Sequence, residues 1–250
     1  MTATQTTTLA ALHRADGSAS YTHGGYTILS AVNGPIEVQR RDEIPDEAAI
    51  EVNVRPAVGV GGPRERHIET LLHAALRTVI LTHQYPRSLI QITLQILSTP
   101  EDSSPQSTSA QHISFLAPLL NAAVPALLHA GVPMSHVPVA GTCCVSRDGE
   151  VETHPSPRAI AQAKSVHVFA FTSPGERMLM AESEGEFSKE EWRSAGEVVR
   201  KACLGSNEGG RGENGMVVDS SAQQQSVLDH VRRAVEVKVA GDEKWREQGE

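Results

Sequence analysis

The residues whose types and spacing carry the most chemistry are Gly59-Val60-Gly61-Gly62-Pro63-Arg64, followed at once by Glu65 and Arg66. Glycines have no Cβ, so their backbone N–H groups can close on an anion, and a helix start adds a favourable dipole; such a loop could cradle a phosphate. Guanidinium groups at Arg64 and Arg66 suit phosphodiester oxygens, which match their planar fork of donors. The loop lacks the Lys-Ser/Thr ending of a nucleotide-binding loop and fails the dinucleotide spacing. The competing reading is a plain turn into a solvated helix start, with Glu65 and Glu69 as partners for the arginines.

The remaining reactive side chains read as structural. Eleven histidines include no H-E-x-x-H or comparable cluster; His67 and His73 read as helix-surface residues, and His167, inside an apolar stretch, as a hydrogen-bonded core imidazole. No G-x-S-x-G elbow offers a serine nucleophile. Cys143, Cys144 and Cys203 have no C-x-x-C spacing and read as buried reduced thiols. Arg40-Arg41 and Arg232-Arg233 read as solvated pairs. The expectation is no metal site and no cofactor.

Composition narrows the partners. A formal net charge of -8 argues against a protein that coats nucleic acid through a broad basic surface, so any contact with nucleic acid should be local, through a few arginines. Aromatics at 4% argue against stacking on bases. With no basic start leading into an apolar run, and no run of about 18 apolar residues, neither a secretory signal nor a membrane span is expected.

The elements that must position these residues follow from periodicity. After a loose tail over 1–15, turn signals flank Ser18 to Thr22; a strand is predicted from Tyr26 to Val32, stopped by Asn33-Gly34-Pro35, and another over Ala48 to Val54. Ile68, Leu71, Leu72, Ala75, Leu76, Val79 and Ile80 have the spacing of a helix with one buried stripe. Ile90 to Ile96 alternates as a strand, and 98–110 reads as an exposed insertion. A second helix from about Gln111 to Ala130 should be kinked or broken at Pro118 and Pro125. Two hairpins are predicted, Val137 to Val145 with Val151 to Thr153, and Val166 to Phe171 with Met178 to Ala181. Ser188 and Glu191 form a capping box opening a helix to about Cys203; 205–225 reads as a disordered insertion, and Val227, Val231, Ala234 and Val235 as a last helix. Irregular alternation with antiparallel hairpins predicts a single α+β domain over 16–250.

Taken in order, Gly34-Pro35-Ile36-Glu37, Val54-Arg55-Pro56, Arg64-Glu65-Arg66, Tyr85-Pro86-Arg87, Asn121-Ala122-Ala123 and Lys164-Ser165-Val166-His167 resemble the ribonuclease PH family, from about Asp16 to Cys203. The resemblance implies the ribonuclease PH fold, which is like the second domain of ribosomal protein S5. It also implies a place in the core ring of the RNA exosome. Active members send inorganic phosphate against the last 3′ phosphodiester bond, using an arginine before the first long helix, a Gly-Thr-Arg-Thr loop, and carboxylates that support a divalent ion. The first arginine corresponds to Arg64. Phe115 falls near the place of the second, and the acidic stretch corresponds to Val151 to Ala163, where Ala159 and its neighbours His154 to Arg158 include no carboxylate.

The resemblance therefore implies a non-catalytic subunit supporting assembly and RNA threading in 3′-to-5′ processing of rRNA and turnover of mRNA. Arg64, Arg66 and Arg87 would be its contacts to single-stranded RNA. Implied partners are related subunits of a six-membered ring, the immediate one of the ribosomal RNA-processing protein 45 type, and cap subunits with S1 or KH domains. Apolar stretches at Val137 to Val145 and Val166 to Phe171 would meet those neighbours. The implied locations are nucleus, nucleolus and cytoplasm. The alternative is an active phosphate-dependent 3′ exoribonuclease, or a metal-dependent nuclease, working as a homo-oligomer.

Overall fold

Alternating apolar residues along β2 (Gly17–His23), β3 (Tyr26–Glu37), β4 (Ala49–Arg55) and β5 (Ser88–Ser98) place Ala19, Tyr21, Ile28, Val32, Val52, Val54, Ile90, Ile92, Leu94 and Ile96 on one buried face. The opposite face keeps Gln91, Thr93 and Gln95 half-exposed, as expected of a sheet covered on one side. In the computed structural model, which describes residues 5–100, 112–205 and 226–247, these strands and β1 (Thr6–Leu9) form a five-stranded sheet in the order β1-β2-β3-β5-β4. Only β4 and β5 run parallel, joined through α1 (Pro63–Val79). That helix lays Ile68, Leu72, Ala75, Leu76 and Val79 on the core, the stripe its periodicity predicts.

The next helix, α2 (Leu116–His129), is apolar all round, and every residue from Leu116 to Leu127 is buried. A helix with no polar face must be enclosed, and a second sheet closes over it. That sheet runs β7-β6-β8-β9, from β6 (Val137–Val145), β7 (Val151–Thr153), β8 (Ser165–Ser173) and β9 (Met178–Gly185), with the short α3 (Pro157–Gln162) between β7 and β8. Ala140, Val168 and Ala170 join the core around α2. Val139, Cys143, Phe169 and Phe171 point the other way, onto Ala195, Val199 and Cys203 of α4 (Lys189–Leu204). The layers are thus sheet, helices, sheet, helix. Finally, α5 (Val227–Glu247) buries Val227, Leu228 and Val231.

Several expectations hold. Ser188 and Glu191 cap α4 reciprocally, the three cysteines are buried and free, and His167 is fully buried between Ser165 Oγ (3.0 Å) and Ser183 Oγ (2.8 Å). No helix among the described residues is long and apolar enough to cross a membrane.

Others are corrected. Thr6–Leu9, inside the stretch expected to be a loose tail, pairs with β2 as an edge strand. Asn33-Gly34-Pro35 does not stop β3: the ladder with β5 slips there and resumes at Ile36 and Glu37, while Gly34 N donates to Asp16 Oδ2 (2.8 Å). The helix expected from about Gln111 to Ala130 is broken ahead of Pro118, with a turn at Ser114 and Phe115 before α2 starts at Leu116, whereas at Pro125 the helix continues without a break. Val137 to Val145 and Val166 to Phe171, proposed as faces for neighbouring subunits, are covered by this chain's own α2 and α4. The insertions expected at 98–110 and 205–225 lie, apart from 98–100 and 205, outside the described residues.

Candidate nucleic-acid site

At the head of α1 the helix start is closed from within. Gly62 is the extended N-cap residue, Pro63 takes the first helical position, and Glu65 reaches back so that its Oε2 accepts from Gly62 N (2.7 Å). The glycine loop's last N–H thus already faces a carboxylate, which favours the turn reading over an anion cradle. Val58 and Val60 stand out into solvent at 90% and 96% exposure.

The three arginines singled out from the sequence are all exposed but do not form one cluster. Arg66 pairs with Glu69 (2.9 Å), whose other oxygen accepts from Val54 N (2.8 Å), so the pair ties α1 to β4. Arg64 lies two residues earlier, about 200° around the helix, and its carbonyl oxygen accepts from His112 Nε2 (2.8 Å). Arg87 follows the other end of α1, a helix about 25 Å long. It faces Glu43 at 3.4 Å and has a left-handed backbone, φ 60°.

His112 leads from Arg64 to a small, partly open site. Its ring neighbours Phe115, which meets Tyr26 edge-on (centroids 5.2 Å apart), and the Tyr26 hydroxyl shares a hydrogen bond with Ser114 Oγ (3.3 Å). Behind them lies a cavity of about 40 Å³. The start of α2 supplies Ser114 and Pro118; the β2–β3 turn supplies His23 and Tyr26; the segment after β7 supplies His154 and Ile160. Two stretches matched by resemblance to the phosphate loop and to the carboxylates therefore face each other across one cavity. Among its described lining residues there is no Arg, Lys, Asp or Glu.

The cavity's ionisable groups are held neutral. Burial above all, with His154 and His230 adding to it, brings His23 down to about 4. Burial also lowers His154 and raises Tyr26. The two imidazoles meet at 88°, centroids 4.6 Å apart. The sequence reading missed His23, Tyr26 and His154 because they are far apart along the chain and belong to no motif; only the packing of the two sheets brings them together.

The chain matches a family model described as the 3′ exoribonuclease family, domain 1 (RNase PH), over residues 5–133. It is 32% identical to the exosome complex component RRP46 of Saccharomyces cerevisiae over 198 residues, which cover 77% of this chain and 86% of that protein. The rrp46 component of Schizosaccharomyces pombe is 37% identical over 132 residues, 53% of this chain and 54% of that protein. The crystal structure of rice (Oryza sativa) Rrp46 superposes with a TM-score of 0.70 at 29% identity, covering 79% of this chain and 87% of that one. The two-sheet architecture, the order of its strands and these similarities together establish that the chain belongs to the ribonuclease PH family, with exosome components of the RRP46 type among its relatives.

Proposed function

We propose that this protein is a structural, non-catalytic subunit of the exosome core ring, supporting assembly and the threading of single-stranded RNA in 3′-to-5′ processing and degradation. The observation that carries this reading is the cavity between the start of α2 and the segment after β7. Phosphorolysis must hold two anions together and stabilise the charge of transfer, and removing one preorganised donor typically costs about 10²–10³ in rate. Here the described lining offers imidazoles and hydroxyls without a guanidinium or a carboxylate. The partners proposed are related ring subunits, with one of the ribosomal RNA-processing protein 45 type adjacent, and caps bearing S1 or KH domains. The compartments proposed are nucleus, nucleolus and cytoplasm. Arg64, Arg66 and Arg87 would touch passing RNA through its backbone, positioning it without reading sequence.

A second reading is an active exoribonuclease, favoured by the printed name of a relative from rice, an exosome complex exonuclease RRP46 homolog 34% identical over 140 residues. One experiment separates the two. Single-stranded RNA labelled at its 3′ end is incubated with the purified chain, phosphate and Mg²⁺, and labelled nucleoside diphosphate is sought. No release, together with a stable complex on adding ring partners, supports the structural subunit; phosphate-dependent release that disappears in Arg64→Ala overturns it.

A further inference from the structure

Rings that stand far apart along the chain meet at the mouth of the cavity. Phe115 and Tyr26, both half-buried, pack edge to face at 76° with centroids 5.2 Å apart. His112 lies 6.4 Å from Phe115 and is half-buried too, while across the cavity His154 is exposed. Aromatic residues make up only 4% of the chain, so their meeting here is a product of packing rather than of abundance. An edge-on contact leaves ring faces that the partner does not cover, and neither Phe115 nor Tyr26 is sealed by the rest of the chain. Charge comes from the helix head: His112 Nε2 donates to the Arg64 carbonyl (2.8 Å), which fastens the imidazole to an exposed arginine.

We propose that this mouth clasps one unpaired nucleobase of single-stranded RNA, stacked on Phe115 with the adjoining phosphate at Arg64. Such a clasp rests on the RNA-threading reading and adds a second kind of grip to the arginines. Every base has a π-face, so an aromatic ring beside a cation holds a strand without selecting sequence. Inside the mouth no described lining residue is Arg or Lys, so nothing there draws in a phosphate, whereas the Tyr26 hydroxyl and Ser114 Oγ suit the polar edge of a base. The space is about 40 Å³, enough for one or two water molecules but not for a base. The base therefore lies across the opening, and water within bridges its edge to those hydroxyls.

The test measures binding of the full-length chain to a labelled single-stranded oligoadenylate, and to the same strand with every base removed, by fluorescence anisotropy. The wild type binds the strand with bases more tightly. Phe115→Ala weakens that binding about 5- to 150-fold, the range that loss of one base–aromatic stack covers, and leaves the abasic strand and the salt dependence unchanged. Phe115→Trp keeps the preference, and its added indole emission is quenched by the oligoadenylate. Phe187→Ala, which removes an exposed ring between β9 and α4, changes nothing. Equal wild-type affinity for the two strands overturns the clasp and leaves the threading reading standing, a comparison that needs no variant to fold. So does a loss in Phe115→Ala that is the same for both strands. No binding of either strand overturns both.

Discussion

Asn121 grips Ala140 by its backbone at both ends: Asn121 Nδ2 donates to the Ala140 carbonyl (2.8 Å) and Asn121 Oδ1 accepts from Ala140 N (2.9 Å). Ala140 lies on β6 upstream of the three residues that pair with β7, so the side chain of a helix residue takes the place of a missing strand. Both groups are buried, where an unsatisfied donor or acceptor costs about 1–3 kcal/mol. Asn121→Ala should therefore destabilise the fold by about 2–4 kcal/mol, read as a lower midpoint in urea with an unchanged slope.

Two glycines predict a ranking. A Cβ at Gly17 would stand 2.3 Å from the Ala126 carbonyl oxygen, part of the α2 backbone, whereas at Gly141 it would meet the side-chain ends Val199 Cγ1 (2.8 Å) and Cys203 Sγ (2.9 Å). Side-chain tips can move and a helix backbone cannot without shifting the core. Gly17→Ala should cost more than about 3 kcal/mol and Gly141→Ala about 1–3, measured by equilibrium unfolding of both variants.

Stability should fall as solutions are acidified, in two windows. His23 is lowered to about 4 when folded and returns to its ordinary value near 6.5 when unfolded, so the unfolded chain binds the extra proton and stability declines between those values. The loss from His23 is on the order of 3 kcal/mol, and His154, lowered by burial, adds in the same direction. Glu191 is brought to about 2, first by Lys164 Nζ (2.8 Å) and then by the backbone of Ser188, so its contribution is present above its ordinary value and disappears below it. Urea midpoints of His23→Gln should show a smaller loss across the upper window, the share of His154 remaining, and an unchanged lower one.

RNA retention by the assembled ring should weaken in Arg64→Ala and Arg66→Ala without change in sequence preference. For a single strand, each phosphate contact removed should flatten the dependence of log affinity on log salt by about 0.7. An unchanged slope in either variant would remove that arginine from the RNA path.

Much of this architecture was legible wherever one face of an element is buried and the other wet. The stripe from Ile68 to Val79 and the alternation from Ile90 to Ile96 are direct prints of such burial. Punctuation misled where tertiary contacts override it. Gly34-Pro35 reads as a stop, yet Asp16 takes the Gly34 N–H and the strand continues. Four residues rich in threonine read as a tail because only their pairing with β2 makes them a strand. In the site, Arg64 and Phe115 could be placed by resemblance, whereas the His23–His154 contact depends on how one sheet closes over the other.

That closure bears on whether the protein can be divided. The family match ends at residue 133, just after α2, yet α2 is wrapped by both sheets. A fragment cut at Pro133 would leave Asn121 without Ala140 and the face of α2 that carries it without β6, and should collapse loosely or aggregate. The two halves share one wall, so the chain should melt in a single cooperative transition, and neither half is a portable module.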